Sequence, residues 1–148
     1  MKIKLMVSGK RYADIKDELT AIGIEIDENA DLIISEKDSF ADYLMGKQNG
    51  EFCRISIHDI ICIESFSHDI VVHSVNGDYK VNERLCRLES ILNPDLFLRI
   101  SNSVIISRNK VSRIKPTMSS KYILTMADSR TVDVTRSYYY IFRESFGI

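Results

Sequence analysis

The sequence is poor in cysteine and has no long apolar run. Its three cysteines, Cys53, Cys62 and Cys86, are odd in number, and no two form a Cys-x-x-Cys pair. That speaks against a disulfide framework and against a cysteine-based zinc site. Each lies in an apolar segment, so buried free thiols in a reducing compartment are expected. His58, His68 and His73 fall close together but have no cysteine pair at ligand spacing, and no metal is expected. No stretch approaches the ~18 consecutive apolar residues that a membrane helix needs. Met1 to Val7 alternates and then meets Ser8, Gly9, Lys10 and Arg11, too short an apolar run for a secretory leader. Also missing are a Gly-rich phosphate loop, a Ser/His/Asp grouping with a nucleophile turn, a close carboxylate pair beyond surface charges, internal repeats and low-complexity stretches. No enzyme activity, cofactor or membrane insertion is expected, and the chain reads as soluble and cytoplasmic.

What is present is a globular composition, 45% apolar and 28% charged in 148 residues, with a net charge of −1. The charge is unevenly spread. Residues 1–50 hold 7 Lys/Arg against 10 Asp/Glu, and residues 51–148 hold 13 against 11. The second part, at +2, falls short of the strongly basic balance of a generic nucleic-acid binder. Any contact with nucleic acid must then rest on locally arranged loops.

The first part, residues 1–48, reads as a small βαββ-like α/β unit. Lys2 to Val7 alternates as a strand does, and Tyr12, Ile15, Leu19 and Ile22 recur at helical spacing before Gly23. Ile24 to Ile26 and Asp31 to Ser35 are strand-like, residues 38–44 suggest a further helical turn, and Lys47-Gln-Asn-Gly50 is a polar turn that ends the unit. A unit of ~45 residues buries little core alone, so it is expected to serve for packing or dimerisation.

From Glu51 the texture becomes mainly β. Short strands are expected over 51–57, 60–64, 70–75 and 78–81, with Asn76-Gly77 as a hairpin turn. One helix follows, capped by Asn82, with Leu85, Leu88, Ile91 and Leu92 as its apolar stripe and Asn93-Pro94 as its stop. Further strands follow over 96–100, 104–107, 111–114, 122–126 and 131–134, with a turn at 127–130, and residues 138–146 suggest a closing helix. The fold class is a mainly β, antiparallel multi-sheet domain with one or two helices over residues 51–148.

Three stretches of this domain resemble the LytTR family, in the family's order. Ile57-His-Asp-Ile-Ile-Cys-Ile-Glu-Ser65 is similar to its opening strand pair. Phe97-Leu-Arg-Ile-Ser-Asn-Ser-Val-Ile-Ile-Ser107 is similar to its central FxRxHxSxxVN signature, and Val132-Asp-Val-Thr-Arg-Ser-Tyr138 to its closing segment. Ser101 stands for the common His, Ser107 for the common Asn and Thr135 for the common Ser. The resemblance implies an elongated arrangement of small antiparallel sheets whose loops enter successive major grooves of double-stranded promoter DNA at direct repeats. The implied function is that of a bacterial, response-regulator-like transcription regulator. Two copies on DNA, hence a homodimer, are expected there.

By that resemblance His68, Asn102 and Arg136 are expected to contact bases. An amide can donate and accept at an adenine edge, and a guanidinium fork suits guanine O6 and N7. Against this, Ser101-Asn102-Ser103 also has the composition of a tight turn, and Arg136 could pair with Asp133 at the surface. The His68 loop is shorter than in some members. Arg99, Ser103, Lys121, Ser137 and Tyr139 are expected at phosphates, the last two beside a helix start. Arg99 points either to DNA or to a neighbouring carboxylate. Family members often carry a receiver domain of ~120 residues, an ordinary domain size. Here Asp31-Leu-Ile-Ile-Ser-Glu36 resembles the receiver strand that ends in the phosphoacceptor, with Glu36 at that place. Regulation by a protein partner or by abundance is expected rather than by phosphorylation. The alternative reading is an interaction module that partners a sensor or membrane protein, with DNA binding reduced or lost.

Overall fold

The computed structural model describes residues 1–36 and 40–148. They form two compact units, Met1–Phe40 and Ala41–Ile148. In the first, strand β1 (Lys2–Met6), helix α1 (Gly9–Ala21), β2 (Glu25–Ile26) and β3 (Leu32–Ser35) follow in order. The sheet order is β2-β1-β3, with both pairings parallel. Alternation along β1 buries Ile3 and Leu5 and leaves Lys2 exposed. Tyr12, Ile15 and Leu19 of α1 are half-buried. Ile22 lies past the last turn of the helix and is exposed, so it leaves the expected stripe. Gly23, at φ 89, donates its N–H to the Thr20 carbonyl at 3.0 Å and reverses the chain. The helical turn expected over 38–44 begins outside the described residues and ends in a strand.

That strand moves the boundary expected at 48–51. β4 (Tyr43–Gln48) pairs in antiparallel register with β5 (Glu51–Ser56), from Gln48↔Glu51 to Tyr43↔Ser56. Asn49 at φ 51 and Gly50 at φ 80 make the two-residue turn between them. Two consecutive positive φ values match the right-handed twist of a hairpin. Asn-Gly therefore joins two strands of the second unit, and the division falls at 40/41.

The second unit continues with β6 (Ile60–Phe66), β7 (Asp69–Ser74), β8 (Gly77–Val81), α2 (Leu85–Ile91), β9 (Phe97–Arg99) and β10 (Val104–Ser107). It closes with β11 (Val111–Pro116), β12 (Tyr122–Met126), β13 (Thr131–Val134) and α3 (Tyr139–Phe146). Seven strands form one antiparallel sheet in the order β5-β4-β8-β7-β6-β10-β9, and β11-β12-β13 form another. The β7–β8 turn takes its positive φ at Gly77. α2 starts three residues beyond the expected Asn82 cap, with Arg84 at the cap position and no side-chain cap bond. Beginning there sets Leu85 and Leu88, one turn apart, into the core.

Two apolar cores result. One joins α2 to Leu44, Ile55, Val72 and Tyr79, and the other joins β12, β13 and Phe142 of α3. β6 and β10 are the wall between them. Ile60, Ile63 and Ile105 face the first core, and Ile61, Cys62, Val104 and Ile106 face the second. A strand buried on both faces has no polar alternation, which is why Val104-Ile-Ile reads as a continuous apolar run. All three thiols are free; Cys62 is buried and Cys53 half-buried. Cys86 is exposed, contrary to expectation, because it follows Leu85 on the outward side of α2.

Candidate nucleic-acid interface

Antiparallel pairing of β6 with β10 sets Glu64 opposite Val104. The end of β6 therefore emerges beside the 100–103 connection. Ser65 N–H donates to the Ser103 carbonyl at 2.8 Å, tying that connection to the β6–β7 hairpin. Thr135 N–H donates to the Ile100 carbonyl at 3.1 Å, tying it to the segment between β13 and α3. Lys121, just before β12, reaches the same edge because Tyr122 pairs with Val134. Connections far apart in the chain thus share one edge of the domain.

Between them lies a polar cleft of about 840 Å³ that brings together Asn102, Ser103, Lys121, Arg136 and Ser137. All five are exposed. Neither Lys121 nor Arg136 joins an ion pair among the described residues, and the Arg136–Asp133 pair considered above does not form. The 100–103 connection is also braced from within. Ser101, buried, accepts from Ser103 N–H through Oγ at 3.2 Å. The small Ser101 side chain thus closes the turn from inside.

Arg99 resolves toward the protein. Its Nε donates to the Ser101 carbonyl at 3.0 Å, Nη2 to the Asn102 carbonyl at 2.6 Å and Nη1 to Glu89 at 2.9 Å. The side chain is 16% exposed, and its guanidinium holds the loop rather than facing outward. Tyr139 is half-buried, with its ring stacked on Tyr122 at 4.9 Å and 8°. His68 is exposed at the β6–β7 turn but lines a different depression, with Tyr43, Lys47 and Lys80, and does not join Asn102 and Arg136 in the cleft.

Two cleft-side residues escaped the sequence reading. Tyr138 donates its hydroxyl to Asn102 Oδ1 at 3.3 Å across 36 positions of sequence. Glu64 lines the cleft and accepts from His73 Nε2 at 2.8 Å, while His73 Nδ1 meets Asp78 at 2.8 Å. The signal for Glu64 was its place in the opening motif; its neighbours follow from strand register alone. Beside it, the Cys62 thiol is pushed up to about 12, by burial first and by the Glu64 carboxylate second. It stays protonated and unreactive.

The sequence model described as the LytTr DNA-binding domain matches residues 50–147. The chain belongs to the LytTR family. Among similar proteins, the transcriptional regulatory protein LytR of Staphylococcus aureus (strain N315) is 25% identical over 140 residues, covering 94% of this chain and 57% of that protein. The sensory transduction protein LytT of Bacillus anthracis is 30% identical over 84 residues, covering 57% of this chain and 34% of that one. This LytTR chain thus spans little more than half the length of the first of these regulators. A solved LytTr DNA-binding domain of a putative methyl-accepting/DNA response regulator from Bacillus cereus superposes with a TM-score of 0.70. It has 22% identity and covers 73% of this chain and 99% of that one, which supports the fold. Among the described residues no helix is long and apolar enough to cross a membrane.

Proposed function

We propose that this LytTR chain binds double-stranded promoter DNA with sequence preference and regulates transcription in the cytoplasm. Its loop edge enters successive major grooves at direct repeats. The observation that carries the reading is the joined edge itself, with Asn102 and Arg136 exposed beside Lys121 and Ser103. Major-groove edges differ for every base pair, and loops as well as helices can read them. Asn102 and Arg136 take bases; Ser103, Lys121 and Ser137 take phosphates, which set the register. His68 reaches a neighbouring base from the β6–β7 turn, and the hydroxyl edge of Tyr139 adds a phosphate contact. Arg99, engaged three times within the chain, orients the loop. Residues 1–40 serve packing or dimerisation, and two copies occupy a repeat pair. Control by a partner protein or by abundance, without phosphoryl transfer to the first unit, completes the reading; a stoichiometric adduct after incubation with acetyl phosphate would sink that last part.

A gel shift on the protein's own promoter region, with and without ~200 mM added salt, tests the main reading, because phosphate-contacting binders weaken steeply with salt. The expected result is a sequence-preferring complex that salt dissolves. No complex at low salt favours the interaction module instead. The outward β4–β5 face, with Tyr43, Met45 and Phe52 exposed, supplies an apolar surface for that second reading.

A further inference from the structure

Asn102 is gripped at two points. Its carbonyl accepts from Arg99 Nη2 at 2.6 Å, and its side-chain Oδ1 accepts from the Tyr138 hydroxyl at 3.3 Å. Tyr138 is itself anchored. Its N–H donates to the Thr135 carbonyl at 3.0 Å, and its half-buried ring packs against the second core. Thr135 in turn bonds Ile100, two residues before Asn102. The hydroxyl is therefore held by the same framework that carries the amide.

A carboxamide has an acceptor on one side and two donors on the other. Unrestrained at an exposed loop, it can turn either side to a ligand. A hydroxyl that occupies the oxygen removes that freedom and directs the Nδ2 donors away from Tyr138. We infer that Tyr138 is a specificity-determining positioning residue: by holding Asn102 Oδ1 it makes Asn102 a hydrogen-bond donor to the DNA, reading a purine N7. This rests on the DNA-binding reading above. Purine N7 is an acceptor in the major groove at both A and G, whereas cytosine presents only its N4 donor there, so the donor-out amide favours a purine over cytosine on the strand it faces. The bond from Tyr138 is long, and its contribution is correspondingly a matter of orientation rather than of affinity for DNA in general.

The experiment uses the full chain and a bound promoter site. Asn102→Ala first identifies the base pair whose preference it flattens. At that position the purine is replaced by its 7-deaza analogue, which lacks the N7 acceptor. Binding is then measured for wild type, Tyr138→Phe, Asn102→Ala and the double variant. The analogue is expected to weaken wild type by on the order of 2- to 10-fold and to leave Tyr138→Phe and Asn102→Ala nearly unaffected. Tyr138→Phe should lose discrimination at that base pair alone, and add nothing in the Asn102→Ala background. Phe keeps the ring and its packing, and an unchanged Tm checks that the fold is intact. Equal discrimination in wild type and Tyr138→Phe overturns the inference, as does a uniform loss on all sequences, or an Asn102→Ala that flattens no position. A wild-type chain that binds DNA with no sequence preference overturns the DNA-binding reading as well, which separates the two failures.

Discussion

Arg136 and Lys121 stand on the same cleft with the same charge, yet the proposed function gives them different work. The guanidinium fork matches a guanine edge in a fixed plane, whereas an ammonium acts as a point charge toward any phosphate. Arg136→Ala should therefore relax base preference by about 1–3 kcal/mol at one position. Lys121→Ala should weaken all sequences alike and lower the salt slope by about one. Binding isotherms on specific and scrambled duplexes at several salt concentrations check both, and an Arg136→Ala with unchanged specific affinity counts against its assigned role. A second residue-scale expectation concerns Cys62. Its folded pKa lies near 12 against an ordinary 9.0, so the folded state holds this proton more tightly than the unfolded state. The stability so conferred is fully present below pH 9 and is lost as the pH rises from 9 toward 12. Melting curves across that window should fall more steeply for the native protein than for Cys62→Ala; equal slopes would refute the assignment.

At the scale of elements, β4 decides how the second unit is built. It sits between β5 and β8, and Gly46 is where these strands crowd together. A Cβ at Gly46 would lie 2.6 Å from Ile55 Cδ1 and 2.8 Å from Tyr79 Cβ. Gly46→Ala is expected to destabilise the second unit by about 1–3 kcal/mol, the range for overpacking a filled core. Urea denaturation reads this, and a variant as stable as the parent would mean that the strands separate freely. The Asn-Gly pair before β5 carried a legible hairpin signal; reading it as a terminus came from judging the turn without asking which strand its preceding residues paired with. The strands after Glu51 were legible because turn residues punctuate them. The α2 start was not, since Asn82 has cap chemistry but Leu85 and Leu88 set where the helix must begin. At the candidate site, the placing of Asn102 and Arg136 on one cleft was legible from their motif positions. The capture of Arg99 by Glu89, and of Asn102 by Tyr138, depended on elements brought together only by register and packing.

Over the whole molecule, the division at 40/41 has a direct test. A fragment of residues 41–148 retains β4 and should melt cooperatively, while residues 51–148 leave β5 and β8 without the strand between them. The shorter fragment is expected to melt lower or not to fold, as an exposed pair of strand edges favours association. Circular dichroism melts of the two fragments settle the boundary, and equal Tm values would restore the break at residues 48–51. The first unit brings its own edge: β3 displays Leu32, Ile33 and Ile34 to solvent, a strip that suits a packing or dimerisation role.

The backbone bonds that tie Ser103 to Ser65 and Ile100 to Thr135 also bear on the thermodynamics of recognition. Loops that must fold onto a ligand lose conformational entropy at that moment and bury extra surface as they order. An edge already cross-linked by its own main chain loses little on docking. Its heat-capacity change on binding should then reflect the contact area alone, and its association should be fast, limited by encounter and orientation rather than by loop ordering.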